Sequence, residues 1–236
     1  SEINTRGQKM NLGKRRGTVF LVLALLLMFS SLLLSSGCQS LHKLKKGRTD
    51  DRWICPEYAD LPLRQGQFEM AIEKHLIVLA QDPDNAVAHY HLGYAYVQLG
   101  VHADGISEYL KALDLGLVQG DLFYNLGMAY GQLGIYQQAE QAFKRAIEME
   151  PEYEDNYRAL GNAQLQQGHF YDAMVSCRKA TELAPDNPHS WHCLALAAAK
   201  SDEVGESWNA VKELRKLDPD YTLDPLLLEL FPAEKK

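Results

Sequence analysis

Glycine and proline recur at a fixed 34-residue interval along most of this chain, and that interval constrains its fold more than any other feature. The glycine column is Gly66, Gly100, Gly134 and Gly168, with Asp202 in the fifth place. The proline column lies seventeen residues further on and consists of Pro83, Leu117, Pro151, Pro185 and Pro219. Glycine ends a helix in left-handed geometry at little cost, and proline prevents a helix from continuing. Two such stops per period predict two helices of three or four turns in each repeat.

Small residues recur in two further columns. Those in the predicted first helices are Ala59, Gly93, Gly127, Gly161 and Ala195, and those in the second helices are Ala71, Gly105, Ala139, Ala173 and Ser207. The large residues that flank them are Leu92, Leu126, Leu160 and Leu194 in one column and Tyr109, Phe143, Cys177 and Val211 in another. Small residues let two helix backbones approach closely, and their large neighbours fill the space on either side. The pattern therefore predicts helix hairpins that stack on one another.

These columns match the signature of the tetratricopeptide repeat, which places an aromatic residue, Leu-Gly, Tyr, Gly, Ala, a second aromatic, Ala and Pro at fixed positions. The clearest copy is Phe123, Leu126-Gly127, Tyr130, Gly134, Ala139, Phe143, Ala146 and Pro151. The resemblance implies an all-α fold, a right-handed α-solenoid of five helix-turn-helix repeats. In this numbering the repeats are 52–85, 86–119, 120–153, 154–187 and 188–221.

Both ends of the repeat array depart from the pattern. Cys55, Tyr58 and Pro62 stand where the family has an aromatic residue, Leu and Tyr, so we expect the first helix to be short or bent. After the fifth repeat, Asp224-Pro225 opens an apolar run that ends at Pro232. A stack of repeats needs its last apolar face covered, and residues 222–236 are therefore predicted to form a capping helix and a tail.

Charge divides the chain into a basic N-terminal segment and an acidic body. Residues 1–50 contain nine Lys and Arg against two acids, whereas residues 51–236 contain fifteen against twenty-nine, a net charge of −14. Binding to nucleic acid depends on clustered positive charge. The acidic body therefore argues against a nucleic-acid partner.

The leader, residues 1–37, is predicted to contain an export signal. Lys14-Arg15-Arg16 precedes an uncharged apolar run at 18–34, which ends in Ser35-Ser36-Gly37-Cys38. The arrangement resembles a bacterial lipoprotein signal, in which small residues precede a Cys that becomes the lipidated N-terminus, although Ser35 stands where Leu is usual. The resemblance implies lipidation of Cys38 and, from Gln39, sorting to an outer membrane.

Two other fates of the leader stay open. The apolar segment 18–34 is marginal in length for a membrane about 30 Å thick, but it would serve as an uncleaved anchor. Cleavage by the ordinary signal peptidase is the other. Residues 38–51 are interpreted as a basic tether, in which Lys43, Lys45, Lys46 and Arg48 are either solvated or attracted to anionic lipid.

The resemblance also implies a concave groove lined by the first helix of each repeat. Carried over position by position, the family's groove residues are Tyr90, Tyr94 and Val97, then Tyr124, Met128 and Gln132, and then Arg158, Asn162 and Gln166. Aromatic anchors with polar neighbours suit an extended or helical peptide. The alternative interpretation is that the three tyrosines are half-buried packing residues.

The sequence contains no catalytic, cofactor-binding or metal-binding motif that we could identify. His192 and Cys193 are neighbours on a predicted helix and point about 100° apart, which makes a shared zinc ion awkward. Cys177 falls in the buried large-residue column and is expected to act as a small hydrophobe. A disulfide between Cys177 and Cys193 is the alternative in an oxidising compartment, and it would leave Cys55 unpaired.

Taken together, these features predict a non-enzymatic protein–protein interaction scaffold. The leader predicts that it is tethered to the bacterial cell envelope, faces the periplasm and holds peptide segments of partners in its groove. Resemblance extends to two kinds of lipoprotein with these repeats, those that serve pilus or secretion-channel assembly and those that act as adaptors for cell-wall hydrolases. The alternatives are a self-associating structural protein and a co-chaperone anchored in the inner membrane. Of the chaperone-tail motif, only fragments are present, at Asn125, Arg158 and Asn162.

Overall fold

A computed structural model describes residues 55–232, which form eleven α-helices and no strand. The helices are α1 (Glu57–Arg64), α2 (Phe68–Gln81), α3 (Ala86–Gln98), α4 (His102–Asp114), α5 (Gly120–Gln132), α6 (Tyr136–Met149), α7 (Glu154–Gln167), α8 (Phe170–Leu183), α9 (Pro188–Lys200), α10 (Val204–Leu217) and α11 (Pro225–Leu230). The all-α class is confirmed. Within 55–232 no helix is both long and apolar enough to cross a membrane. The leader, Cys38 and the basic tether lie outside the described residues.

The turn between the two helices of each repeat depends on one left-handed residue. The backbone φ angles are +70° at Gly66, +79° at Gly100, +73° at Gly134, +80° at Gly168 and +62° at Asp202. Aspartate tolerates this region better than most side chains, which explains why it fits the fifth position. The column recognised in the sequence therefore marks the same turn in all five hairpins.

The second repeat uses a different stop between hairpins. Leu117 stands in the proline column, and α4 ends three residues earlier at Asp114. Gly116 adopts a φ of +94° and closes the turn, while Leu117 turns inward and is buried. A left-handed glycine thus replaces the proline at this position.

Close helix crossings hold each hairpin together. A Cβ built on Gly127 in α5 would lie 2.7 Å from Cε1 of Phe143 in α6, and one on Gly93 in α3 would lie 2.7 Å from Cδ1 of Tyr109 in α4. A Cβ on Gly161 would lie 2.5 Å from Sγ of Cys177. The small column of the first helices therefore meets the large column of the second helices, as the sequence predicted.

The hairpins stack into an α-solenoid whose two faces differ. The first helices of successive repeats, α1, α3, α5, α7 and α9, contact one another in order. Within residues 55–232, the second helices of successive repeats have no Cα atoms within 8 Å of each other. The first helices are therefore closer together and line the inner side of the stack, whereas the second helices form the outer side.

The ends of the stack are closed by different means. Helix α1 has eight residues and contains Pro62, so the expectation of a short first helix is confirmed. At the other end, the Asp224 carboxylate accepts a hydrogen bond from the Leu226 N–H at 2.9 Å and starts α11. Leu227 and Phe231 are buried, and the Phe231 ring packs on Trp208 at 5.3 Å. Helix α11 thus covers the apolar face of the fifth repeat.

Cys177 in α8 and Cys193 in α9 form a disulfide, with their Cα atoms 5.6 Å apart. Cys177 occupies the buried large-residue column, as expected, but its sulfur is bonded rather than free. The bond joins the fourth repeat to the fifth. Of the two alternatives that the sequence left open, the structure contains the disulfide.

We predict that Gly127→Leu lowers the free energy of unfolding by about 3 kcal/mol or more, because the new side chain collides with the Phe143 ring at the α5–α6 crossing. Gly131 provides a matched control on the same helix, since a Cβ there meets nothing within 4 Å. Gly131→Ala should raise the stability by up to about 1 kcal/mol through helix propensity. Urea denaturation of both variants measures the difference, and equal effects would contradict the proposed crossing.

We also predict that replacing Cys177 and Cys193 together with Ala lowers the free energy of unfolding by about 3 kcal/mol, because the bond closes a loop of sixteen residues. Chemical denaturation under non-reducing conditions gives the stability. Peptide mapping by mass spectrometry tests the bond itself, and finding both thiols free in the native protein would refute the linkage.

Candidate functional site

The nine predicted groove residues lie on the inner-side helices α3, α5 and α7, but they differ in exposure. Tyr90, Tyr94, Val97, Tyr124 and Arg158 are half-buried, whereas Met128, Gln132, Asn162 and Gln166 are exposed. The exposed residues form an i, i+4 pair on each of two helices that contact each other. Side chains four residues apart lie on one face of a helix. These four side chains are therefore the part of the predicted groove that is open to a partner.

Tyr90 is held by interactions within the protein. Its ring packs against Tyr109 at a centroid distance of 5.8 Å, and its hydroxyl oxygen accepts a hydrogen bond from Asn125 Nδ2 at 3.0 Å. Burial and the nearby Asp121 carboxylate raise the pKa of Tyr90 to about 12, so the phenol is neutral at physiological pH. The bond to Asn125 joins α3 to α5 across the inner side of two repeats.

The other predicted apolar groove residues also pack internally. Tyr94 meets Phe68 of the first repeat edge-to-face at 6.3 Å, and Tyr124 lies 5.9 Å from the Phe143 ring. Val97 fills the crossing opposite Gly105. The contacts match the alternative interpretation of these tyrosines as half-buried packing residues, although part of each ring stays accessible.

Acidic side chains surround the inner-side residues of α7. Arg158 is hydrogen-bonded to the carboxylates of Glu154, at 3.2 Å, and Asp155. Glu154 also accepts hydrogen bonds from Asn187 Nδ2 at 2.8 Å, at the end of the same repeat, and from Ser190 Oγ at 2.5 Å in the next repeat. Burial, and then the charge of Asp155, raise the pKa of the neighbouring Tyr124. The Arg158 guanidinium is therefore already engaged by two carboxylates.

His189 and His192 on α9 both contact Tyr221. His189 Nδ1 lies 2.9 Å from the Tyr221 hydroxyl, and His192 packs against the Tyr221 ring at 5.3 Å. Cys193 is occupied by the disulfide. These side chains connect the fifth repeat to the segment that leads into the capping helix.

A second cluster, which the sequence analysis missed, lies between the first two repeats. Cys55, Asp60, His75 and His91 each place one ligand-type atom within 4.8 Å of all the others. Cys55 lies two residues before α1, and the others come from α1, α2 and α3. No spacing rule connects these four positions, because the packing of three helices, and not one motif, brings them together. The only sequence signal was the departure of Cys55 from the aromatic position of the repeat.

Burial and charge act strongly on this cluster. Burial, with the charge of Asp60 and a hydrogen bond to it, raises the pKa of Cys55 to about 12. Burial also lowers the pKa of His91, and the nearby His75 acts in the same direction while Asp60 opposes it. His91 is thereby favoured as a neutral imidazole, and the Cys55 thiol keeps its proton in the absence of a cation.

Comparisons with known proteins agree with the repeat assignment. Family models described as tetratricopeptide repeat match residues 120–153 and residues 86–115 and 155–187, and a model described as TPR repeat matches residues 55–100. Together they cover more than half of the chain. A search of curated proteins with the sequence found no match.

Several solved structures have the same fold. A structure of MamA is 25% identical and superposes with a TM-score of 0.64, covering 72% of this chain and 95% of its own. A second MamA structure is 27% identical, with a TM-score of 0.62 and coverages of 70% and 94%. YrrB, described as a TPR protein with an unusual peptide-binding site, is 21% identical, with a TM-score of 0.67 and coverages of 81% and 95%. The last of these shows the fold alone. The repeat columns, the stacked hairpins and these matches agree, and the chain belongs to the tetratricopeptide repeat family of protein-interaction scaffolds.

Proposed function

We propose that this protein is a non-enzymatic scaffold of the bacterial cell envelope that holds peptide segments of partner proteins on the inner side of its repeat stack. The observation that carries the proposal is the exposed patch formed by Met128, Gln132, Asn162 and Gln166 on the contacting helices α5 and α7. An apolar thioether next to three amides offers both a hydrophobic contact and hydrogen bonds to a peptide backbone. We call these four residues the inner patch.

Carboxylates near Tyr90 and Tyr124, two half-buried residues of the same inner side, suggest the chemistry of the partner. Asp121 and Glu150 lie close enough to raise the pKa of Tyr90, and Asp155 and Glu154 act in the same way on Tyr124. The body as a whole carries a net charge of −14. A segment that combines an apolar side chain with Lys or Arg therefore fits this face better than an acidic segment.

The same charges disfavour the co-chaperone alternative. Binding a C-terminal carboxylate needs cations that are free to pair with it, and Arg158 is already paired with Glu154 and Asp155. The C-terminal carboxylate of a partner would be repelled by Glu154 and Asp155 and would have to displace them from Arg158. Self-association through the outer side remains a separate alternative, since Leu76 and Ile77 on α2 are 47% and 41% exposed.

Tethering to the envelope rests on the leader. Its basic patch, the apolar run at 18–34 and the small residues before Cys38 support export followed by lipidation. A lipid on Cys38, the first residue of the basic tether at 38–51, would hold the repeats near the membrane surface. Both kinds of lipoprotein that the sequence resembles, for pilus or secretion assembly and for hydrolase adaptation, are compatible with this arrangement.

Photo-crosslinking in cells tests the inner patch. We expect a photoreactive phenylalanine analogue at Met128 to crosslink a discrete partner, because this side chain is 38% exposed on α5. Met149, which is 45% exposed near the end of outer-side helix α6, is the matched control. Mass spectrometry of the adduct identifies the partner and the crosslinked segment. Crosslinks from Met149 alone would place binding on the outer side, and an adduct between two copies of the chain would favour self-association.

Metabolic labelling with a radioactive fatty acid tests the tether. We expect the wild-type protein to be labelled and to sediment with membranes, and Cys38→Ser to lose the label because it removes the acceptor thiol. Cys55→Ser is the matched control and should keep the label, since Cys55 lies in the repeat body. Unlabelled protein that still sediments with membranes, at the mass of the uncleaved chain, would instead assign anchoring to segment 18–34.

A further inference from the structure

Four side chains at the junction of the first two repeats converge on one point. Asp60 Oδ1 lies 3.3 Å from His75 Nε2 and 2.8 Å from His91 Nδ1. Cys55 Sγ completes the group, in which all four ligand-type atoms lie within 4.8 Å of one another. His75 has no solvent exposure, and the other three residues are partly buried. The cluster is thus a set of converging ligand atoms inside the protein, unlike a patch of exposed acids.

The orientation of His75 is fixed by the backbone. Its Nδ1 lies 2.7 Å from the carbonyl oxygen of Ala71, one turn earlier in α2. A carbonyl only accepts, so Nδ1 must carry the proton that it donates. In the neutral imidazole, Nε2 then carries a lone pair and can only accept. This nitrogen faces the Asp60 carboxylate, which is also an acceptor. Histidines that bind metals are commonly oriented in this way, with the second nitrogen donating to a backbone carbonyl.

A bound cation resolves this crowding of acceptors. The lone pair of His75 Nε2 and the Asp60 carboxylate repel each other at 3.3 Å, and a divalent cation between them, with the Cys55 sulfur binding as a thiolate, replaces this repulsion with attraction to the cation. The alternative is that the cluster holds no metal and its side chains pair only with one another. These two states differ in whether the purified protein binds a metal.

The ligand types and distances select the metal. Sulfur, imidazole nitrogen and one carboxylate oxygen are the ligands that Zn²⁺ takes in tetrahedral sites, whereas Mg²⁺ and Ca²⁺ prefer oxygen alone. Zinc–ligand bonds of about 2.0–2.3 Å put tetrahedral ligand atoms roughly 3.3–3.8 Å apart. The present separations, which run from 2.8 Å between Asp60 Oδ1 and His91 Nδ1 to at most 4.8 Å, differ from this range by about 1 Å or less.

We propose that Cys55, Asp60, His75 and His91 form a structural zinc site that fixes the first repeat onto the second. The four ligands would close the coordination sphere, as in zinc sites without catalysis. Cys55 binds as a thiolate, so one proton leaves as Zn²⁺ enters. The site also gives a role to Cys55, which is the free cysteine among residues 55–232.

The packing around the site shows why this junction gains from a metal. Helix α1 has eight residues and contains Pro62, and the apolar cluster that it shares with its neighbours has the small residues Ala59, Val78 and Ala88 as its buried members. One zinc ion would connect the start of α1 with α2 and α3 simultaneously. Metal sites contribute folding energy where an apolar core is small.

Titration of the full-length protein, purified in mild detergent, with Co²⁺ and then Zn²⁺ tests this assignment. We expect one Co²⁺ per chain, with ligand-field bands typical of tetrahedral cobalt and a thiolate-to-cobalt charge-transfer band, both displaced by Zn²⁺. Cys55→Ser should lose the charge-transfer band, and His91→Gln should lose the tetrahedral bands. Zn²⁺ at a hundredfold excess over its dissociation constant should raise the wild-type melting temperature by at least about 5 °C.

Matched variants separate the site from adventitious binding. His169→Gln changes an exposed histidine elsewhere and should leave the bands and the melting shift intact. Circular dichroism tests whether each variant remains helical. If His91→Gln unfolds, loss of the charge-transfer band in Cys55→Ser, which keeps the size of the side chain, still tests the site. Absence of tetrahedral cobalt bands in the wild type would overturn the assignment. So would a full zinc-dependent melting shift in Cys55→Ser and His91→Gln together, or an equal shift with Mg²⁺.

Discussion

The close approach of paired helices at the small-residue columns is the constraint on which the rest of this structure depends. At the α3–α4, α5–α6 and α7–α8 crossings a single methyl group on the first-helix glycine would collide with the opposing side chain. That proximity sets the tilt of each hairpin, and the tilt decides how the next hairpin stacks. In the resulting stack the first helices contact one another and the second helices do not. The inner side, which carries the exposed patch, therefore depends on the same close crossings.

The fold could be predicted from the sequence because each of its rules repeats in phase. Three features recur every 34 residues: a left-handed turn, a small residue at a helix crossing and a large residue opposite it. Each feature is therefore supported by four or five copies in the sequence. Asp202 is recognisable as a turn residue only through its place in the glycine column. A feature that occurs in only one repeat cannot be predicted from the pattern. An example is Gly116, whose left-handed turn replaces a proline stop.

The sites were less predictable because they depend on contacts between particular side chains of different repeats. Nothing in the sequence distinguishes a tyrosine that presents its ring to a partner from one whose hydroxyl is held by Asn125, and the structure shows the second case for Tyr90. Cys177 and Cys193 are sixteen residues apart, a separation that many unbonded pairs in adjacent helices also have, and only the stacking of the fourth repeat on the fifth brings them together. The Cys55 cluster draws on three helices and has no spacing that a motif would capture.

The two ends of the stack meet the same physical problem with different chemistry. A terminal repeat has one neighbour instead of two, so it buries less apolar surface and needs another source of stability. At the C-terminal end the apolar core runs without interruption from the fourth repeat through Leu227 and Phe231 of the cap, and the disulfide joins the repeats beneath it. The N-terminal end has three small apolar residues at its centre and, beside them, a thiol, a carboxylate and two imidazoles. Buried polar groups in a thin core are costly unless each finds a partner, and the same groups become stabilising once a cation satisfies them all. The polar character of this junction, which would be a weakness in a purely apolar solenoid, is therefore the reason to expect that a metal ion secures it.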